Sequence, residues 1–323
     1  MEPADPIQLD TLANDGSRGL GGSSTRPEAI KAIPIRHWGR WIASAVILFL
    51  GFLLLYSFVR NPHVEWPVIR EYLFKSLILR GIVVTLELTL VAMVIGVVGG
   101  TLLAVMRLSK NYVLSGFSWF YIWFFRGTPV YVQILLWGNF AILYPRLFIG
   151  LPFVNVVFAS VSSNVVVSIF VASILALGLN EAAYAAELVR AGIISVEKGQ
   201  SEAAESLGMS PGLTMRRIIL PQAMRVIIPP MGNETISMLK TTSLVAVISG
   251  HELMSIVTIL YSQNLQVLPL LLVACIWYIF FTTVLTIGQH YLEAYFGKGF
   301  GEKEAVAAEK RAMKRVQRRE DSV

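Results

Sequence analysis

"EAAESLGMSPGLTMRRIILP", Glu202 to Pro221, is a polar stretch punctuated by glycine and proline and set between long apolar runs. It reads as two short helices. Glu202 and Glu205 are expected in the first turn of one of them, where carboxylates suit the positive end of the helix dipole. Gly208 then ends that helix as a left-handed cap. Ser210 and Pro211 supply the N-cap and first-position proline of the second helix. Pro221 marks a boundary after Leu220, because a residue before proline avoids the helical region. Each helix is too short to be stable alone in water. The pair must therefore dock, either on its own bundle or on a partner.

The sequence around it sets the environment. Of 323 residues, 55% are hydrophobic and only 15% charged, where a soluble domain carries about a quarter charged. That deficit, with several long apolar runs, places the chain in the membrane class. The net charge of +6 comes from basic residues in short loops and the tail. No basic stripe points to nucleic acid. The single cysteine, Cys275, excludes a disulfide framework and reads as a packed small hydrophobe. Residues 1–35 are polar and rich in Gly, Ser, Asp and Pro, and are expected to be a disordered cytoplasmic segment rather than a secretory signal.

Six apolar regions follow. The first, "WIASAVILFLGFLLLYSFV" at Trp41 to Val59, is long enough to cross a hydrocarbon core of about 30 Å. The others are Gly81–Met106, Tyr112–Tyr144 broken by "RGTP" at Arg126–Pro129, Val165–Val189, Val226–Ile248 and Leu265–Ile287. The third is either one crossing or two. Arg36 and Arg40 put the N-terminus inside by the positive-inside rule. One crossing then places Arg107, Lys110, Arg190–Arg225 and the tail all inside, whereas two crossings would expose the last two groups. One crossing is preferred, with the aromatic Tyr112–Phe125 as an interfacial lead-in. The expected architecture is all-α and polytopic, with six transmembrane helices, both ends cytoplasmic, and a charged tail at residues 297–323.

The spacing of Glu202, Ala203, Ala204, Gly208, Ile218, Leu220 and Pro221 resembles the EAA signature of ABC importer membrane subunits, with every fixed position met. "FFRGTP" at Phe124–Pro129, "LNEAAYAAELVRAGI" at Leu179–Ile193 and "GNETISMLKTTSL" at Gly232–Leu244 are similar to the polar amino acid permeases of that superfamily, the histidine, glutamate, glutamine, arginine and opine type. The resemblance implies a five-helix core over residues 80–296 and an added N-terminal helix at 36–60. It also implies a coupling loop at 199–221 received by a cytoplasmic ABC ATPase subunit, a periplasmic or surface solute-binding protein, and a dimer with a second copy or a paralogue. At Glu181 such permeases more often carry Ser or Gly.

Polar groups inside the spans need company, since a lysine near a helix centre costs about 2.5–3.5 kcal/mol. Asn233, Ser237 and Lys240 stand at i, i+4 and i+7 on the fifth span, and Asn180, Tyr184 and Glu187 repeat that spacing on the fourth. The two faces suggest a water-filled path for an amino acid, or else an interhelical hydrogen-bond network or dimer contact. Glu87 stands alone on the second span and serves either substrate or structure. Gly96, Gly99 and Gly100 read as a close-packing face. Pro229 and Pro230 should bend the fifth span or delay its start.

The four histidines are scattered, and His251-Glu252 lacks the second histidine of a zinc protease motif. No catalytic or metal-binding constellation is expected. No phosphate-binding loop occurs, so any ATP and magnesium belong to a partner ATPase and the chain itself holds no cofactor. The expected function is a permease subunit of an ATP-driven amino acid importer. The alternative is an ion-coupled secondary transporter or channel, which would not need the loop at 199–221.

Overall fold

The computed structural model describes residues 38–151 and 156–296. The expected disordered N-terminus, Arg36 included, and the charged tail lie outside the described residues. The chain divides into two units at Val59 and Arg60. In the first, helix α1 (Trp38–Val59) has no buried side chain, and Phe52 stacks on Tyr56 at 6.1 Å.

The second unit starts with a 3-10 turn (Pro62–Val64) and the short helix α2 (Trp66–Leu73). Helix α3 (Ser76–Arg107) follows, then α4 (Tyr112–Gly127), α5 (Val130–Gly138) and α6 (Phe140–Leu143). An antiparallel hairpin, β1 (Arg146–Leu151) and β2 (Val156–Ser162), adds a small sheet that the apolar pattern did not announce. Next come α7 (Ser163–Val166), α8 (Ile169–Ile194), α9 (Lys198–Ser206) and α10 (Pro211–Thr214). A π-turn (Met215–Ile219) leads into α11 (Leu220–Thr241), which tightens into a 3-10 segment (Thr242–Ile248). Helices α12 (Leu253–Asn264) and α13 (Val267–Phe296) complete the order.

Among the described residues, α1, α3, α8 and α13 are each long and apolar enough to cross a membrane, and the helical run Pro211–Ile248 passes the same test together with α12, bent against it by 44°. The third apolar region is shared between α4 and α5, neither of which reaches span length alone. Helix α4 is not a lead-in lying apart from the bundle. Ser118 Oγ donates to the carbonyl of Leu103 at 2.7 Å, and Tyr121 Oη to the carbonyl of Leu179 at 2.9 Å. These bonds tie α4 to α3 near Arg107 and to the middle of α8.

The α3–α8 pair has the closest backbone approach. A Cβ placed on Gly100 would stand 2.6 Å from Ala185 Cβ and 2.8 Å from the Ala186 nitrogen; one on Gly99 would stand 3.1 Å from Ala182 Cβ. Small residues permit this approach, and without a hydrophobic drive between spans, close packing is what holds them. The expected close-packing face is present. Around it, Leu88, Ile134, Leu177, Met238 and Val245 form the central core. Ile78, Ile82, Leu253, Val257, Leu270 and Val273 form a second core that ties α12 to α3 and α13.

Between the 3-10 segment and α12 the chain turns sharply, with Ser249 and His251 both at φ 58°. Glu252 is fully buried and caps α12. Its Oε2 accepts from Met254 N at 2.6 Å, and its Oε1 from Ser255 N at 2.6 Å and Ser255 Oγ at 2.7 Å. Tyr278 Oη also donates to Oε2 at 3.4 Å, and Leu253 N donates to Thr85 Oγ1 at 3.1 Å. All three leading N–H groups of α12 are thereby satisfied, as a non-aqueous setting demands.

Two expectations change. Pro229 and Pro230 do not delay the fifth span; α11 starts at Leu220 and passes through them, with the Pro229 carbonyl accepting from Gln289 Nε2 at 3.1 Å. Cys275 is exposed on α13 rather than packed inside, because the apolar run that suggested burial faces outward at that turn.

Candidate functional site

The loop between α8 and α11 is two-helical, as its residues require. Gly208 has φ +74°. The N–H of Gly208 bonds the carbonyl of Glu205 at 2.9 Å, and that of Met209 bonds the carbonyl of Ala204 at 3.1 Å. This is the paired closure of a helix by a left-handed residue. Ser210 is extended, at φ −67° and ψ 151°, and Pro211 opens α10. Ala204 and Thr214 are buried where the two pieces meet.

Glu202 and Glu205 are not in a first turn, however. Helix α9 extends back through Gly199 to Lys198, so Glu202 lies in its second turn. Pro221 does not mark the expected boundary: Leu220 before it is itself helical, at φ −59° and ψ −43°, and the π-turn runs straight into α11. Glu202, Ala203, Gly208, Leu220 and Pro221 are exposed, and Ile218 is half-buried. Leu207, which the sequence did not single out, is 81% exposed beside Gly208.

Between α8, α11 and the break separating α4 from α5 is a cavity of about 410 Å³. Helix α8 contributes Asn180, Glu181 and Tyr184 to its wall, and α11 contributes Glu234, Ser237 and Thr241. The break between α4 and α5 contributes Arg126, Thr128 and their neighbours. Arg126 holds its guanidinium 5.2 Å from the Tyr184 ring centroid, a favourable cation–π arrangement. Glu234 lies within electrostatic reach of both Glu181 and Arg126. Glu181 is 4% exposed, its stem rests on Gly96, and its Oε1 has no hydrogen-bond partner. Two carboxylates, one guanidinium and an amide thus line one cavity, where ionised partners can form charge-assisted hydrogen bonds.

Of the residues on the two expected polar faces, Asn180, Tyr184 and Ser237 line this cavity. Glu187 instead pairs with Arg190, at 2.7 Å and 3.0 Å to the guanidinium. Asn233, Lys240 and Glu87 are exposed outside its lining. Arg126, Glu181, Glu234 and Thr241 were missed. The spacing Glu234, Ser237, Thr241 satisfies one helix face as well as Asn233, Ser237, Lys240 does, and the sequence alone does not choose between them.

The sequence profile of the family described as "Binding-protein-dependent transport system inner membrane component" matches residues 96–297. The chain belongs to this family. It is 48% identical over 293 residues to the arginine transport system permease protein ArgU of Corynebacterium glutamicum, spanning 88% of this chain and 89% of that one. It is 34% identical over 203 residues to the putative glutamine transport system permease protein GlnP of Rickettsia typhi, spanning 62% and 85%. The crystal structure of an amino acid ABC transporter with histidines superposes with a TM-score of 0.58 at 34% identity, over 69% of this chain and 95% of that one. The protein is therefore a permease subunit of an ABC importer, all-α and polytopic apart from its small hairpin. These relatives are ABC permeases, and the ion-coupled alternative gains nothing from them.

Proposed function

We propose that this permease carries cationic amino acids through the membrane, arginine and its kin, driven by a separate ATPase. The observation that carries the reading is the cavity's charge. Glu181 and Glu234 outnumber Arg126, so a guest with one carboxylate and two cationic groups complements the wall. Arg126 meets the carboxylate, and the two glutamates meet the ammonium and the cationic side chain. The arginine permease among its relatives supports the same class.

The test is binding to, and transport by, the complete transporter. Glu181→Gln and Glu234→Gln keep the shape and delete one charge each. Each should weaken arginine binding roughly ten- to a hundredfold, the worth of a charge-assisted hydrogen bond, and affect glutamine less. Equal arginine affinity in both variants and wild type sinks the proposal.

The loop at 199–221 is the proposed dock for the ATPase, which supplies ATP and magnesium. Exposed Leu207 beside the Gly208 turn supports this, as an apolar side chain offered to water asks for a partner. An ATPase docked there would put the loop on the cytoplasmic side. A solute-binding protein delivers the amino acid from the other face, and a second copy or a paralogue completes the path. Gly208→Val puts a β-branched side chain at φ +74°, a conformation such residues rarely adopt. That variant should accumulate in the membrane yet lose ATPase association on co-purification. Retained stoichiometric ATPase would make the stretch an ordinary loop.

A further inference from the structure

The helix break beside Arg126 is bonded by a residue that does not line the cavity. Arg126 sits at the end of α4, just before the chain breaks at Thr128 and Pro129. In an uninterrupted helix the carbonyl of Phe125 would accept from the N–H of residue 129. That residue is a proline and has none. Within a membrane the orphaned carbonyl needs another donor.

Two side chains supply it. Gln133 Nε2 donates to the Phe125 carbonyl at 3.0 Å, and Asn180 Nδ2 donates to the same oxygen at 3.0 Å. Gln133 Nε2 also lies 3.1 Å from the Thr128 carbonyl and 2.8 Å from Thr128 Oγ1, while its Oε1 accepts from Asn180 Nδ2 at 3.3 Å. Thr128 Oγ1 in turn donates to the Phe124 carbonyl at 2.9 Å. The amide of Gln133 therefore bridges both sides of the break and pins it to the middle of α8. Gln133 is 4% exposed and is absent from the cavity wall.

We propose that Gln133 is the positioning residue for Arg126: by replacing the hydrogen bond that Pro129 cannot give, it fixes the helix break from which Arg126 meets the substrate carboxylate. This rests on the reading of the cavity as the amino acid site. Loss of the bridge lets the break relax toward other geometries, and the guanidinium loses its fixed place over Tyr184. Recognition of the carboxylate suffers, while the carboxylates of Glu181 and Glu234, held on other helices, keep their grip on the cationic end.

The experiment compares arginine with L-argininamide, which keeps the cationic groups and lacks the carboxylate. Binding of each is measured by calorimetry to the purified permease–ATPase complex without its solute-binding protein. Gln133→Leu should lower arginine affinity about tenfold and leave argininamide affinity unchanged, so that the ratio of the two collapses. Arg126→Ala should collapse the same ratio. Should Gln133→Leu fail to assemble, Gln133→Glu keeps the shape with at most one donor, and the ratio must fall there too.

A Gln133 variant that retains the ratio, or loses both ligands equally along with thermal stability, overturns the positioning role. Arg126→Ala collapsing the ratio while the Gln133 variants keep it overturns that role alone. An unchanged ratio in Arg126→Ala removes the cavity reading and the positioning role together.

Discussion

Gly100→Leu is expected to abolish accumulation of the folded permease. The first added carbon would meet Ala185 Cβ at 2.6 Å, the Ala186 nitrogen at 2.8 Å and the Ala185 carbonyl carbon at 2.9 Å. Two of these three atoms are backbone, so no rotamer change relieves the clash. Helices α3 and α8 must separate along the seam that organises both the central core and the cavity. Overpacking of a core costs about 1–3 kcal/mol where side chains can yield, and here they cannot. The check is size-exclusion chromatography of detergent-solubilised protein, with Gly116→Leu as control, since nothing lies within 4 Å of a Cβ at Gly116. A monodisperse Gly100→Leu protein with unchanged thermal stability would show that the seam tolerates separation.

Glu252→Leu should be nearly as damaging, for an electrostatic reason. Two backbone N–H groups and two hydroxyls donate to this carboxylate. Leucine fills a similar volume and accepts nothing, leaving those donors orphaned in a buried, water-poor turn. Each orphan costs about 1–3 kcal/mol, and the losses concentrate at the first turn of α12, which anchors the second core. We expect a loss of more than about 3 kcal/mol, read as a large drop in thermal midpoint in detergent. Tyr278→Phe removes one long donor to the carboxylate, at 3.4 Å, and leaves the three short ones, so its effect should be the smaller of the two. Equal midpoints for Glu252→Leu and wild type would mean that α12 is held by its apolar contacts alone.

Much of this was legible from residues whose meaning is local. Gly208 followed by Ser210 and Pro211 specifies a left-handed stop and a new helix start whatever surrounds it, and the turn is as expected. The glycines of α3 read correctly because only a close neighbour gives such a row a purpose in a membrane. What failed to read depends on rotation about a helix axis. Glu234 and Asn233 are neighbours in sequence but about 100° apart around α11, and only the partner helix decides which looks inward. Glu187 seemed suited to a path until Arg190, one turn on, took its carboxylate. The RGTP break was visible as a break, yet its use was not, because the donors that complete it come from α5 and α8.

The run from α10 through the π-turn into α11 has one further consequence. Residues 211–234 follow one another with no non-helical residue between the polar loop and Glu234. At 1.5 Å per residue that is a lever arm of about 35 Å. Pivoting such an arm by about 5° about its loop end moves Glu234 by about 3 Å, roughly the length of a hydrogen bond. Were the loop to dock as proposed, a small displacement there would reach Glu234 along the helix itself.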